Sequence, residues 1–208
     1  MPVKTDREYR AMSLLLPTGN KQKRLESDYY VEGYATTVDS PYLMYDDGRR
    51  KYYEVIDRRA FDGADMTDVI MQYDHEGRVL ARKSNGTLGI ELDSKGLFVF
   101  ADLSKSAAAK EFFEEIRNGL ISQMSIGFRA DTDKDEYERG ANTTTRIIRQ
   151  IKKIFDVSGV SRPANPGTEI SARSWIDGVI ETEKREAQAR LELAKAKYNY
   201  FFGGKTHA

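Results

Sequence analysis

Apolar and polar positions alternate, or run together in short blocks, through most of this chain, and that pattern predicts strands more than helices. Residues 29–37 read as a first core strand, and Lys51-Tyr-Tyr-Glu-Val-Ile56 as an aromatic, β-branched one. Val69-Ile-Met-Gln-Tyr73 is an apolar block of the buried type that ends just before His75. Asn85-Gly86 favours positive φ at both central turn positions, which predicts a hairpin joining residues 79–83 to 87–92. A second turn, Asp93-Ser-Lys-Gly96, leads into a strand over 97–103, so this half is expected to be an antiparallel sheet.

After this the spacing becomes helical. Phe112, Ile116 and Leu120 recur every four residues, Ser104 or Ser106 stands where an N-cap belongs, and Gly119 stands where the helix should stop. The chain then turns into the apolar strand Gln123-Met-Ser-Ile-Gly-Phe128. Residues 131–145 are polar, with Gly140 and three threonines, and read as an exposed hairpin tip or a disordered loop. Residues 146–155 alternate again as a strand that ends at Asp156.

The two ends differ from the middle. Residues 1–27 are polar and basic with a brief apolar patch, and read as a flexible N-terminal leader or a first edge strand. Beyond Trp175, Ile180, Ala187, Leu191, Ala194 and Tyr198 make a narrow helical stripe on a charged segment, with Glu181 to Arg185 and Glu186 to Arg190 at i,i+4 spacing. The expected division is therefore a leader over 1–27, a domain over 28–175 and an amphipathic helical tail over 176–208. That tail has three readings: packed on the domain, paired with a copy of itself, or detachable.

Composition narrows the function classes. The 208 residues suit one domain with an extension, and the 33 basic and 33 acidic residues cancel, which argues against a nucleic-acid surface or a polybasic membrane patch. With no cysteine, a disulfide framework and a thiolate zinc site are excluded. No apolar run approaches the roughly 20 residues that span a bilayer, and Met1-Pro-Val-Lys-Thr-Asp-Arg7 lacks the apolar segment of a signal peptide, so a cytoplasmic protein is expected. One internal histidine cannot furnish a histidine-rich metal centre, and no metal or cofactor is expected.

His75 and Ser125 carry the candidate chemistry. His75 is almost the sole side chain suited to acid–base work near neutral pH, since the other histidine, His207, sits beside the C-terminus. A serine hydroxyl becomes a useful nucleophile when a base lies within hydrogen-bond reach, so this pair is the minimum for acyl transfer. The residues alone leave a second reading open, in which His75 is a solvated turn residue and Ser125 merely satisfies its hydroxyl on backbone.

Five stretches, in order, resolve more. Val31-Glu-Gly-Tyr-Ala35, Glu54-Val-Ile-Asp-Arg-Arg-Ala-Phe61, Asp74-His75, Gly119-Leu-Ile-Ser-Gln-Met-Ser-Ile-Gly-Phe128 and Asp156-Val-Ser-Gly-Val-Ser-Arg-Pro-Ala-Asn-Pro166 together resemble the tailed-phage prohead serine proteases of the HK97 type, over about residues 28 to 172. That family is kin to the herpesvirus assembly proteases. The resemblance implies an α+β fold: a mostly antiparallel β-barrel of the herpesvirus-protease type with flanking helices and a C-terminal helical extension. It implies a serine endopeptidase that cleaves scaffold, or scaffolding segments of the major capsid protein, and itself, inside the prohead in the host cytoplasm. A homodimer is implied by the herpesvirus kinship.

Carried onto these positions, the resemblance makes His75 the general base, Ser125 the nucleophile and Asp156 the histidine-orienting residue, with Arg162 a candidate for the oxyanion loop. Asp156 reads otherwise as a strand-end ion-pair residue, and Arg162 as a surface arginine. Asp74 and Glu76 are expected to orient His75 poorly, because neighbours in an extended strand point to opposite faces. The alternative to an enzyme is a non-enzymatic scaffold or capsid-assembly protein of the same fold.

Overall fold

The structure, a computed structural model, describes residues 7–13, 23–161 and 184–197. Its strands are β1 (Glu8–Ser13), β2 (Tyr30–Thr37), β3 (Tyr42–Asp46), β4 (Lys51–Ile56), β5 (Ile70–Tyr73), β6 (Glu76–Arg82), β7 (Leu88–Leu92), β8 (Gly96–Asp102), β9 (Gln123–Ala130), β10 (Glu136–Arg139), β11 (Thr143–Ile148) and β12 (Ile151–Val160). Helix α1 (Ala107–Arg117) lies between β8 and β9, and α2 covers residues 184–197. The strands form three sheets with the orders β1-β9-β12-β5-β6, β10-β11-β4-β3 and β2-β8-β7. Apolar side chains from all three, with Ala109, Phe112 and Ile116 of α1, share one buried core.

This is a sheet-rich α+β fold, but the expected closed barrel is absent among the described residues. Each sheet ends in edge strands, and two joins are parallel, β12 with β5 and β11 with β4. The predicted Asn85-Gly86 hairpin is also corrected. Strand β6 pairs with β5 while β7 pairs with β8, so the turn carries the chain from one sheet to another. Thr87 explains the break: its hydroxyl accepts from Arg82 N at 2.8 Å and it also bonds Asn85 Oδ1 at 2.7 Å, where a hairpin would place ladder bonds.

Residues 131–145 take the exposed-hairpin alternative rather than the disordered one: after a short 3-10 helix at Thr132–Lys134, β10 pairs antiparallel with β11 and most of the segment is exposed. The single strand expected over 146–155 is two, β11 and β12, divided between sheets. Strand β3 had no counterpart in the pattern. Of the leader, Glu8–Ser13 takes the edge-strand alternative, pairing with β9.

Helix α1 follows its sequence closely. Ser106 Oγ accepts from Ala109 N at 3.1 Å, a cap whose loss to alanine costs about 1 kcal/mol. At the far end Gly119 has φ 75°, and the bonds Gly119 N to Ile116 O and Leu120 N to Glu115 O close a Schellman motif. Phe112 and Ile116 are buried as the stripe predicts, whereas Leu120, past the cap, is 72% exposed. In α2, Ala187, Leu191 and Ala194 of the predicted stripe are exposed, and Glu186 bonds Arg139 at 3.1 Å. Ile180, Glu181 and Tyr198 lie outside the described residues.

A buried charge network holds β1 in place. Arg10 donates to both oxygens of Glu54 on β4, and Arg146 on β11 reaches Glu8 at 2.5 Å, Glu54 at 3.0 Å and Asp135 at 2.5 Å. Arg10, Glu54 and Arg146 are all buried, so removing one partner would strand a charge at about 3–5 kcal/mol. Burial alone would raise the Glu8 carboxyl, but Arg10 and Arg146 prevail and hold it down at about 2. Asp135 goes the other way: burial outweighs Arg146 and pushes its carboxyl up to about 6.

Candidate functional site

The central feature lies on one face of the five-stranded sheet. Register places Ala11 of β1, Ser125 of β9 and Ser158 of β12 in one row, and Tyr9, Gly127 and Asp156 in the next row but one. Since alternate strand residues share a face, Ser125 and Asp156 project from neighbouring strands to the same side. Both are buried, Ser125 at 1% exposure.

His75 reaches them from a hairpin turn. Tyr73 of β5 pairs with Glu76 of β6, leaving Asp74 and His75 as a two-residue loop with φ of 47° and 60°. Positive φ at both centres matches a type I′ turn, and aspartate and histidine are among the non-glycine residues that tolerate it best. The expectation that His75 ends an extended strand is therefore corrected. Asp74 still turns away from His75, for a different reason: its carboxylate accepts from Ser161 N at 2.8 Å and Ser161 Oγ at 2.7 Å, while its own N–H donates to Gly159 O. These bonds stitch the turn to the end of β12.

From that turn the imidazole bridges the other two residues. Nδ1 lies 2.5 Å from Asp156 Oδ1 and Nε2 lies 2.7 Å from Ser125 Oγ. With the Asp156 carboxylate accepting from Nδ1–H, Nε2 carries the lone pair and accepts from the serine hydroxyl. Ser158 Oγ donates to the same Asp156 oxygen at 2.8 Å, a second bond that holds the carboxylate. The His75 side chain is 13% exposed and that of Asp156 2%, so the pair is largely shielded from water.

Two further residues shape this geometry. Gly127 gives Asp156 room, since a Cβ there would lie 2.3 Å from Asp156 Oδ2 and 3.0 Å from Tyr9 Cε1. Tyr9 packs on His75 with ring centroids 4.2 Å apart and planes inclined at 53°. Ser158 and Gly127 stand within the stretches that carried the family resemblance; their duties were hidden because cross-strand register is not written locally. Tyr9 gave no signal, lying in what read as a leader. Thus the structure brings together three of the four predicted site residues, and Arg162 lies outside the described residues.

Comparison with known proteins gives similarities of sequence and of fold. The family described as caudovirus prohead serine protease matches residues 19–181. The prohead protease of Enterobacteria phage HK97 is 31% identical over 88 residues, which cover 42% of this chain and 37% of that protein. The solved structure of the bacteriophage T4 capsid assembly protease gives a TM-score of 0.47 at 11% identity, covering 76% of this chain and 98% of that one.

Proposed function

The chain belongs to the caudovirus prohead serine protease family, and from that premise we propose that it is a serine endopeptidase of phage head maturation using His75, Ser125 and Asp156. The observation that carries this reading is the unbroken hydrogen-bonded line from Asp156 through His75 to Ser125. As a peptide carbonyl approaches, Ser125 Oγ attacks its carbon while His75 Nε2 takes the hydroxyl proton. The imidazolium so formed is stabilised by the Asp156 carboxylate on Nδ1–H. It then gives its proton to the leaving amine as the C–N bond breaks, and a water deprotonated by His75 attacks the acyl-enzyme ester, releasing the carboxylic product and restoring the Ser125 hydroxyl.

The developing oxyanion needs N–H or cationic donors, worth about 3 kcal/mol each. We assign that duty to the segment opening at Ser161 and containing Arg162. The Asp74 bonds to Ser161 support the assignment, because they tie the start of that segment to the histidine turn. The substrates in this reading are scaffold, scaffolding segments of the major capsid protein and the protease itself, cleaved inside the prohead by a homodimer. In this reading residues 28–175, joined by strand β1 at the sheet edge, form the protease domain and 176–208 a recruiting tail. Two results test the reading: fluorophosphonate treatment followed by peptide mass spectrometry should place the adduct on Ser125, and incubation with the capsid subunit should yield discrete fragments. An adduct elsewhere, or an intact subunit, would refute it.

A further inference from the structure

We propose that the N-terminal strand β1 is a working part of the catalytic centre, with Tyr9 a positioning residue that roofs the His75–Asp156 pair. The inference rests on the triad reading above but concerns a strand outside the matched interval 19–181.

Three observations converge on it. The first is contact: the Tyr9 ring packs on the His75 ring at 4.2 Å, on a histidine whose turn backbone has positive φ. The second is proximity to the carboxylate. Asp156 Oδ2 and Tyr9 Cε1 both border the space beside Gly127, at 2.3 and 3.0 Å from where its Cβ would stand, so the ring edge covers the carboxylate side of the pair as well. The third is anchoring. Residues flanking Tyr9 are tied down on both sides, Arg10 to Glu54 and Glu8 to Arg146, and the antiparallel ladder to β9 runs from Glu8 to Ser13. A strand held this firmly places its aromatic ring reproducibly, which a free leader would not.

The physical consequence is twofold. An imidazole bonded at both nitrogens can still tilt about those bonds, and a ring against its face restricts the tilt that would misalign Nε2 with Ser125 Oγ. The same ring keeps water from the Nδ1–H···Oδ1 bond, where a lower local dielectric strengthens the attraction. Both effects come from the ring, so Tyr9→Phe, which keeps it, is the conservative variant.

The test uses the full chain with Tyr9→Phe, Tyr9→Leu and Tyr9→Ala. The chain has two histidines, so the Nδ1–H proton of His75 can be followed by 15N-edited NMR without ambiguity once His207 is replaced. In wild type and Tyr9→Phe this proton should be slow to exchange. In Tyr9→Ala it should broaden into water, and kcat should fall on the order of tenfold to a hundredfold with KM little changed, as expected for a misplaced base. Tyr9→Leu, which keeps apolar bulk and guards against an unfolded alanine variant, should lie between. A protected proton and wild-type kcat in either the alanine or the leucine variant would overturn the proposal, as would a phenylalanine variant that behaves like alanine. If wild type holds the protected proton yet cleaves no peptide, the protease reading fails while the positioning claim is still decided by the NMR.

Discussion

Replacing Gly127 by alanine would put a methyl group where the Asp156 carboxylate now stands. The added Cβ would meet Asp156 Oδ2 at 2.3 Å, Asp156 Cγ at 3.0 Å and Tyr9 Cε1 at 3.0 Å. Non-bonded contacts relax near about 3.5 Å, so the carboxylate must retreat by about 1 Å. That stretches the 2.5 Å bond to His75 Nδ1 beyond the usual N–H···O range of roughly 2.7–3.2 Å. A misplacement of about 1 Å costs on the order of 10²-fold in turnover, and complete loss of tautomer control about 10⁴-fold, which bracket the expected fall in kcat. Overpacking should also cost about 1–3 kcal/mol of stability. Gly89→Ala is the matched control, because its Cβ would strike Phe100 Cζ at 2.1 Å and Cε2 at 2.2 Å in the β2-β8-β7 sheet, which carries no member of the triad. Peptide hydrolysis and urea denaturation of both variants should show a stability loss in each but a kcat loss confined to Gly127→Ala. A folded Gly127→Ala with wild-type kcat, or an equal kcat loss in Gly89→Ala, would refute the reasoning.

Asp156→Asn should reduce turnover on the order of 10⁴-fold at neutral pH, whereas Asp74→Asn, whose contacts are with Ser161, should cost far less; peptide kinetics on folded variants decide, and a larger loss at Asp74 would reverse the assignment. Asp135 binds its proton more tightly folded than unfolded, at about 6 against the ordinary 3.8, so its contribution is present below the lower value and lost as pH rises through the upper, on the order of 3 kcal/mol. Glu8 has the opposite sign, its contribution being present above the ordinary 4.5 and lost as pH falls towards about 2. Urea denaturation should therefore show stability falling between pH 4 and 7 in wild type but much less in Asp135→Asn; equal slopes would contradict this. Deleting residues 177–208 should leave peptide cleavage largely intact and impair incorporation into proheads, since residues 184–197 of the tail are exposed throughout; a truncated protein inactive on peptide would show that the tail belongs to the catalytic domain.

The grouping of His75, Ser125 and Asp156 was legible through the five ordered stretches that carry the family resemblance, since the residue types alone left His75 and Ser125 open to a structural reading. Helix α1 was legible for a different reason, its cap, stripe and stop glycine all being local. What was not legible depended on distant partners. Parallel pairing of β12 with β5 sets Asp156 within reach of the histidine turn, yet it joins segments some 80 residues apart. The Asn85-Gly86 turn misled because Thr87 redirects the chain by side-chain bonds rather than by turn type. Strand β1 was hidden by its charges, which look solvated in sequence but pair with Glu54 and Arg146 in the interior.

The most direct test of the central claim is cleavage of the cognate capsid subunit by wild type and by Ser125→Ala, both shown to be folded, with fragments quantified by mass spectrometry. Loss of the nucleophile should leave the fold unchanged, because Ser125 Oγ bonds a histidine that Asp156 still holds. The rate should fall on the order of 10⁶-fold, the scale for a lost triad serine. Near-normal processing by Ser125→Ala would contradict the account.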